Sequence, residues 1–182
     1  MATAQAETTI PTGVWKSDPV HSNVGFSVKH MVVGTFRGSF TDFDVTLANE
    51  DGEPRLYGAV GVASVDVRDE NLKGHLLSPE FFDAERTPEI TFTSSAIRAE
   101  GEDLVVEGDL TIKDTTKHVE ARGSIVGPAQ DVAGGERLGI DLETKVDRTE
   151  FGLKWNAPTP SGGVAVQNEV TLSVHLELAK EE

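Results

Sequence analysis

Apolar and polar side chains alternate with a period of two along most of the chain, which puts them on opposite faces of β-strands and gives each strand one apolar face. The last segment shows it most plainly. Val170, Leu172, Val174, Leu176 and Leu178 share one parity, and Thr171, Ser173, His175 and Glu177 share the other. The same pattern links Val24, Phe26 and Val28; Leu56, Gly58, Val60 and Val62; Val106, Gly108, Leu110 and Ile112; and Leu138, Ile140, Leu142, Thr144 and Val146. Between Phe40 and Phe43 the parity slips by one residue, so a sharp bend is predicted near Thr41.

Turn-forming residues separate these runs at 49–54, 100–103 and 113–116, and two longer loops are predicted at 127–136 and 156–163, the first of them mobile from its glycines and alanines. One stretch breaks the alternation. Over residues 69–77 the spacing of Leu72 and Leu76 is helical, with Asp69 as N-cap, and Ser78 followed by Pro79 begins a second turn that delivers Phe81 and Phe82 to the sheet or its mouth. Thr87 and Pro88 end it.

Short connections with no crossover helix imply antiparallel neighbours. Long strands would leave exposed edges in an open sheet, and closure removes them, so the expected fold is an all-β antiparallel barrel of about eight strands with a short helical insertion. Such a barrel has room for one small ligand if its lining does not fill it. Residues 1–12 read as a polar tail and 13–182 as one domain.

Charge narrows the partners. The chain has 182 residues, with 31 acidic against 16 basic side chains and a net charge of −15, which disfavours nucleic acid and anionic lipid surfaces. Residues 1–12 lack the basic and apolar regions of a signal peptide, and no apolar run reaches transmembrane length, so a cytoplasmic protein without stable membrane insertion is expected. There is no cysteine, which removes disulfides, thiolate metal sites and cysteine nucleophiles.

The candidate chemistry is sparse. The five histidines, His21, His30, His75, His118 and His175, show no metal-ligand spacing, and no metal is expected. His30 shares the parity of Phe26 and Val28, so it is expected to point inward, as a hydrogen-bonded core histidine or as a ligand contact. Adjacent His21 and Ser22 would diverge on a strand and cannot act as base and nucleophile. Asp147 and Arg148 would diverge likewise, one of them in a structural ion pair across the sheet. Gly34, Gly38, Gly58, Gly61 and Gly108 read as points of curvature or close approach. No glycine pattern suits phosphate binding.

Four ordered stretches carry a family resemblance. They are Trp15-Lys-Ser-Asp-Pro-Val-His-Ser22 continuing through Phe26, His30, Phe36, Gly38 and Phe40; His75-Leu-Leu-Ser-Pro-Glu-Phe-Phe-Asp83 with Pro88, Ile90 and Phe92; Gly108-Asp-Leu-Thr-Ile112 with Thr116 and Lys117; and Asp147-Arg148 with Phe151-Gly152. Over roughly residues 14–178 the chain resembles the YceI-like polyisoprenoid-binding proteins. The resemblance implies a lipocalin-like barrel that holds the tail of an isoprenoid quinone or related lipid. The chain departs from the family at Leu72-Lys73, where Arg-Asp is frequent, and at Asp114, where glycine is frequent. Many members are exported, whereas this chain reads as unsecreted.

Parity places Phe26, Val28, Phe36, Phe40, Val60, Val62, Phe92, Ile112, Leu142 and Val146 on the lining, with His30 among them and Leu76, Phe81, Phe82, Phe151 and Trp155 near an opening. The phenylalanines either fill the barrel or close one end of a tube. The expectation is sequestration or carriage of an isoprenoid lipid or quinone, with no catalytic residues, no cofactor beyond the lipid, and a homodimer left open. Two alternatives stand beside it: an enzyme on an apolar substrate, using His30 with Asp147 or Arg148, and a ligand-free, stress-related structural module with a packed interior.

Overall fold

One long strand serving two different neighbours sets the shape of this chain. A computed structural model describes residues 8–182. In chain order it contains β1 (Gly13–Ser17), β2 (Asn23–His30), β3 (Gly34–Phe40), β4 (Phe43–Asn49), β5 (Arg55–Gly61), β6 (Val65–Asp66), α1 (Glu70–Leu77), β7 (Glu89–Glu100), β8 (Asp103–Ile112), β9 (Thr115–Gln130), β10 (Glu136–Asp147) and β11 (Val166–Lys180). All pairings are antiparallel. The strands β1, β4, β5, β7, β8, β9, β10 and β11 follow one another around a ring, and β11 returns to β1, which closes the eight-stranded barrel expected from the sequence. At its C-terminal end β11 pairs with β1 (Ser17 opposite Leu178), and further back it pairs with β2 (Leu172 opposite Phe26).

The bend lies where the parity slip predicts it. Thr41 separates β3 from β4, its amide donates to the Ser64 carbonyl at 3.3 Å, and the Asp42 amide donates to Ser64 Oγ at 2.9 Å. The strands therefore change partners at this bend and at residues 18–22, between β1 and β2. One half of the barrel closes through β1 and β4, and the other half is extended by β2, β3 and β6. Beyond β6 no ladder continues to β7. Residues 67–88, with α1 among them, occupy that interval, and the Val62 amide donates to the Pro88 carbonyl at 2.9 Å.

The helix starts as expected: Asp69 is the N-cap and its carboxylate accepts from the Leu72 amide. At the β8–β9 hairpin, Lys113 and Asp114 have φ of 50° and 62°, the left-handed region in which glycine is least strained and aspartate is tolerated.

Three expectations need correcting. Val62 leaves the alternation of β5: it lies in a 3-10 turn (Val62–Ser64) and its side chain is buried. The loop read at 127–136 is largely strand, because β9 runs to Gln130 and β10 begins at Glu136. The short turn left between them is tied by Asp131, which accepts from the amides of Ala133 and Gly135 and from Arg137 Nε. Of the tail read at 1–12, residues 1–7 lie outside the described residues. Residues 8–12 are docked, with Asn49 Nδ2 donating to the carbonyls of Ile10 and Pro11 and Ile10 packing on the core.

Two apolar clusters occupy the ends. The closed end gathers Trp15, Leu47, Leu56, Leu104, Leu138, Ile140 and Leu178, and the Trp15 indole donates to the Thr12 carbonyl. The other end gathers Phe40, Val65, Leu76, Phe81, Phe82, Ile112, Phe151 and Leu153.

One close approach is decisive for the shell. Gly123 of β9 stands opposite Leu142 of β10, and a Cβ there would overlap the Asp141 carbonyl oxygen. Main chain cannot yield as a side chain can, so Gly123→Ala is expected to destabilise the barrel by about 3 kcal/mol. At Gly139 on the neighbouring strand the nearest atom to an added Cβ is Val126 Cβ at 4.0 Å, and Gly139→Ala should fall within about 0.5 kcal/mol of wild type. Urea unfolding of the two variants checks the pair; equal stabilities would contradict this packing.

Candidate functional site: an apolar tunnel

Inward-facing side chains of β2, β5, β7 and β11 should be fully buried if the barrel were packed solid. Instead Val24, Phe26, Val28, Val60, Phe92, Leu172 and Val174 keep intermediate exposure, because they face an internal cavity of about 630 Å³. Of the residues assigned to the lining, Phe26, Val28, His30, Phe36, Phe40, Val60, Phe92, Ile112, Leu142 and Val146 lie on the cavity wall and Val62 does not; Leu76, Phe81, Phe82, Phe151 and Trp155, expected near an opening, lie on the wall as well. Parity had no means of seeing Val62 leave the strand. The reading also missed Val119 and Ala121 of β9, where Lys117 and Gly123 share their parity and break the apolar run, and Ala165 and Val166, where the long loop rejoins β11.

Space inside depends on glycine. Gly38 stands opposite Phe26 on the β2–β3 ladder, and a Cβ at 38 would lie 2.5 Å from Phe26 Cζ. The Phe26 ring therefore lies over its neighbour's backbone, 5.8 Å from the Phe40 ring and 6.4 Å from the Phe82 ring. Phe82 in turn meets Phe40 edge to face at 5.8 Å. A second group closes over the mouth: His75 packs edge-on against Trp155 at 4.7 Å and against Phe81 at 4.8 Å, joining α1 to the loop that follows β10. Lys113 Nζ donates to the carbonyls of Pro79 and Gly152, fastening the β8–β9 hairpin to both.

The polar candidates behave differently from their sequence reading. His30 is not a core histidine: it ends β2, is exposed at the rim, and its ring makes no hydrogen bond among the described residues. Strand parity gave its direction but not its depth. Asp147 and Arg148 do not form a cross-sheet ion pair either. Asp147 ends β10 and accepts from the Thr149 amide, capping the 3-10 turn Arg148–Phe151. These hydrogen bonds hold its carboxyl below the usual range, Thr149 being the chief cause.

Arg148 is buried, and its guanidinium donates to the carbonyls of Leu153 (2.6 Å), Trp155 (2.9 Å), Gln167 (2.9 Å) and Val166 (3.3 Å). It gathers the loop against β11 beside the mouth. Burial lowers its pKa from the ordinary arginine value, with Asp147 acting in the opposite sense. No carboxylate forms a salt bridge with it among the described residues.

His21 and Ser22 are not on a strand. They occupy the β1–β2 connection, where His21 Nδ1 pairs with Asp18 at 2.9 Å and Ser22 Oγ exchanges hydrogen bonds with the Glu177 backbone. Asp18, His21 and Glu177 bring ligand-type atoms within 4.8 Å of one another on the outside of the barrel. Arg137 already supplies positive charge there, 3.0 Å from Asp18 and 3.5 Å from Glu177. The hydrogen bond from His21 is the chief cause holding the Asp18 carboxyl down at about 2. No helix among the described residues is long and apolar enough to cross a membrane.

The comparisons agree with this architecture. The protein YceI of Escherichia coli O17:K52:H18 is 30% identical over 157 residues, covering 85% of this chain and 80% of its own. The crystal structure of Burkholderia cenocepacia BcnA superposes with a TM-score of 0.73 at 26% identity, covering 88% of this chain and 98% of that one. A polyisoprenoid binding domain from Saccharophagus degradans, implicated in plant cell wall breakdown, shares the fold with a TM-score of 0.62 at 12% identity, over 94% of this chain and 100% of that one. The YceI-like domain model matches residues 15–178, and the chain belongs to that family.

Proposed function

We propose that the chain binds an isoprenoid lipid, a polyisoprenoid or an isoprenoid quinone, and carries or sequesters it non-covalently. The tunnel is the observation that carries this reading: an unfilled volume of about 630 Å³ walled by phenylalanine, valine, leucine and isoleucine. The volume is within the range of roughly 300–1,000 Å³ usual for small-molecule sites. Transfer of each buried CH₂ out of water contributes about 0.8 kcal/mol before the cost of association, so a tail of a few isoprene units gains enough for firm binding. Polar groups that could hold a more hydrophilic ligand are scarce on the wall, and Arg148 is already engaged by four carbonyls. The polyisoprenoid-binding neighbour supports the same ligand class.

An unfilled tunnel speaks against the packed structural module. The catalytic alternative has no assembled constellation: Asp147 is spent on its own turn, and neither it nor Arg148 hydrogen-bonds His30 among the described residues. The test is direct. Organic extraction of the purified protein, followed by mass spectrometry, should release a polyprenyl compound. Stripped protein should bind added ubiquinone, with quenching of Trp155 at the mouth. An extract without lipid together with no quenching by quinone would refute the reading.

A further inference from the structure

The β2–β3 hairpin carries an apolar tip whose outermost residues, Val32 and Val33, do not line the tunnel. Met31, Val32 and Val33 form its turn, and Val33 is 92% exposed and Val32 63%. The turn does not require these residues. Met31 and Val32 have φ of 50° and 68°, where asparagine or glycine is relaxed and a β-branched valine is a clear outlier. The tip is nevertheless held in place: the Met31 amide donates to the Ala165 carbonyl at 2.9 Å, and Val32 lies beside Gly163 in the loop that carries exposed Val164. Met31 also lines the tunnel, so the exposed patch and the mouth are continuous.

Charge is distributed along the same axis. The mouth-side segments 28–38, 65–89, 112–117 and 145–169 hold 10 basic and 11 acidic residues, and the rest of the chain holds 6 and 20. Nearly all of the net −15 thus lies outside the mouth-side segments. Around the tip, segments 28–38 and 145–169 hold five basic and three acidic residues, and Lys29, Arg37 and Lys154 make no salt bridge among the described residues.

We propose that this tip is a bilayer-docking element, which inserts Met31, Val32 and Val33 among phospholipid headgroups and seats the tunnel mouth on the membrane surface, with Lys29, Arg37 and Lys154 facing the phosphates. A three-residue projection suits a fluid apolar phase. It is far too small for a stable protein interface, which buries on the order of 1,200 Å² or more. The acidic body orients the barrel, because it is repelled from a surface to which the tip is drawn. The inference rests on lipid carriage for its purpose but not for its test.

Flotation with phosphatidylcholine vesicles containing about a quarter phosphatidylglycerol should carry wild-type protein upward. The double variant Val32→Asn with Val33→Asp should partition at least about tenfold less. Asparagine relieves the left-handed strain, so the variant should unfold at no lower urea concentration than wild type and bind detergent-dispersed ubiquinone equally well. Its uptake of quinone from vesicles should be slowed. Wild-type protein that stays in the bulk phase, or a variant that floats equally, overturns the docking. Failure to bind quinone from detergent, with flotation intact, would sink carriage and leave the docking standing.

Discussion

Replacing Val174 by tryptophan is expected to weaken isoprenoid binding by roughly two to three orders of magnitude while leaving the barrel folded. Val174 faces the tunnel between the two apolar clusters, across the ladders from Leu142 and Val24. An indole there takes up volume that the lipid tail would occupy. Displacing four or five buried CH₂ groups forfeits about 3–4 kcal/mol, and 1.4 kcal/mol is a factor of ten in affinity. Overpacking a closed core destabilises, but this position opens onto empty space, so the unfolding midpoint should hold or rise. Val126→Trp, on the exposed outer face, is the matched control and should bind like wild type. Quinone titration of both variants decides the matter. Undiminished binding by Val174→Trp would place the ligand elsewhere on the molecule.

Arg148→Met should have the largest effect on stability, about 3–5 kcal/mol, and should disorder the loop that carries Trp155. Methionine keeps length and apolar bulk but leaves the carbonyls of Leu153, Trp155, Val166 and Gln167 without their common donor. Hydrogen bonds from a charged donor contribute about 1.5–3 kcal/mol each, although four to one group are not additive. Lysine should recover only part of the loss, because a single ammonium cannot reach acceptors that a planar fork spans. The readouts are the urea midpoint and the anisotropy of Trp155 emission in a Trp15→Phe background. Wild-type stability in Arg148→Met would show that the clamp is dispensable.

Strand faces were legible because alternation and burial follow one geometry: a residue's parity fixes the side of the sheet on which it lies, whatever its neighbours. That is why the lining from Phe26 to Val146 could be named in advance, and why the slip between Phe40 and Phe43 marked the bend. What failed was information that parity does not hold. Val62 departs because the chain turns into a 3-10 segment to reach β6, a consequence of the bend in another strand. His30 is inward by parity yet exposed, since depth depends on where the mouth lies. The Arg148 clamp joins carbonyls from residues 153 to 167, and no local pattern announces that a loop will fold back over an arginine. Among the titratable residues singled out from sequence, the one with the clearest structural role, Arg148, belonged to the pair of neighbours of which one was expected to form an ordinary ion pair.

The interval between β6 and β7 separates two properties that a fully hydrogen-bonded cylinder would tie together. Everywhere else the wall is a ladder whose rupture is a step toward global unfolding. In this one sector α1 and the turn after it are held chiefly by Leu76, Phe81, Phe82 and the His75–Trp155 contact. Swinging that lid outward would break few main-chain bonds. Exchange of the proposed lipid would therefore draw on a subglobal opening far less costly than denaturation, and the amides of α1 should exchange with deuterium well ahead of those in β10 and β11.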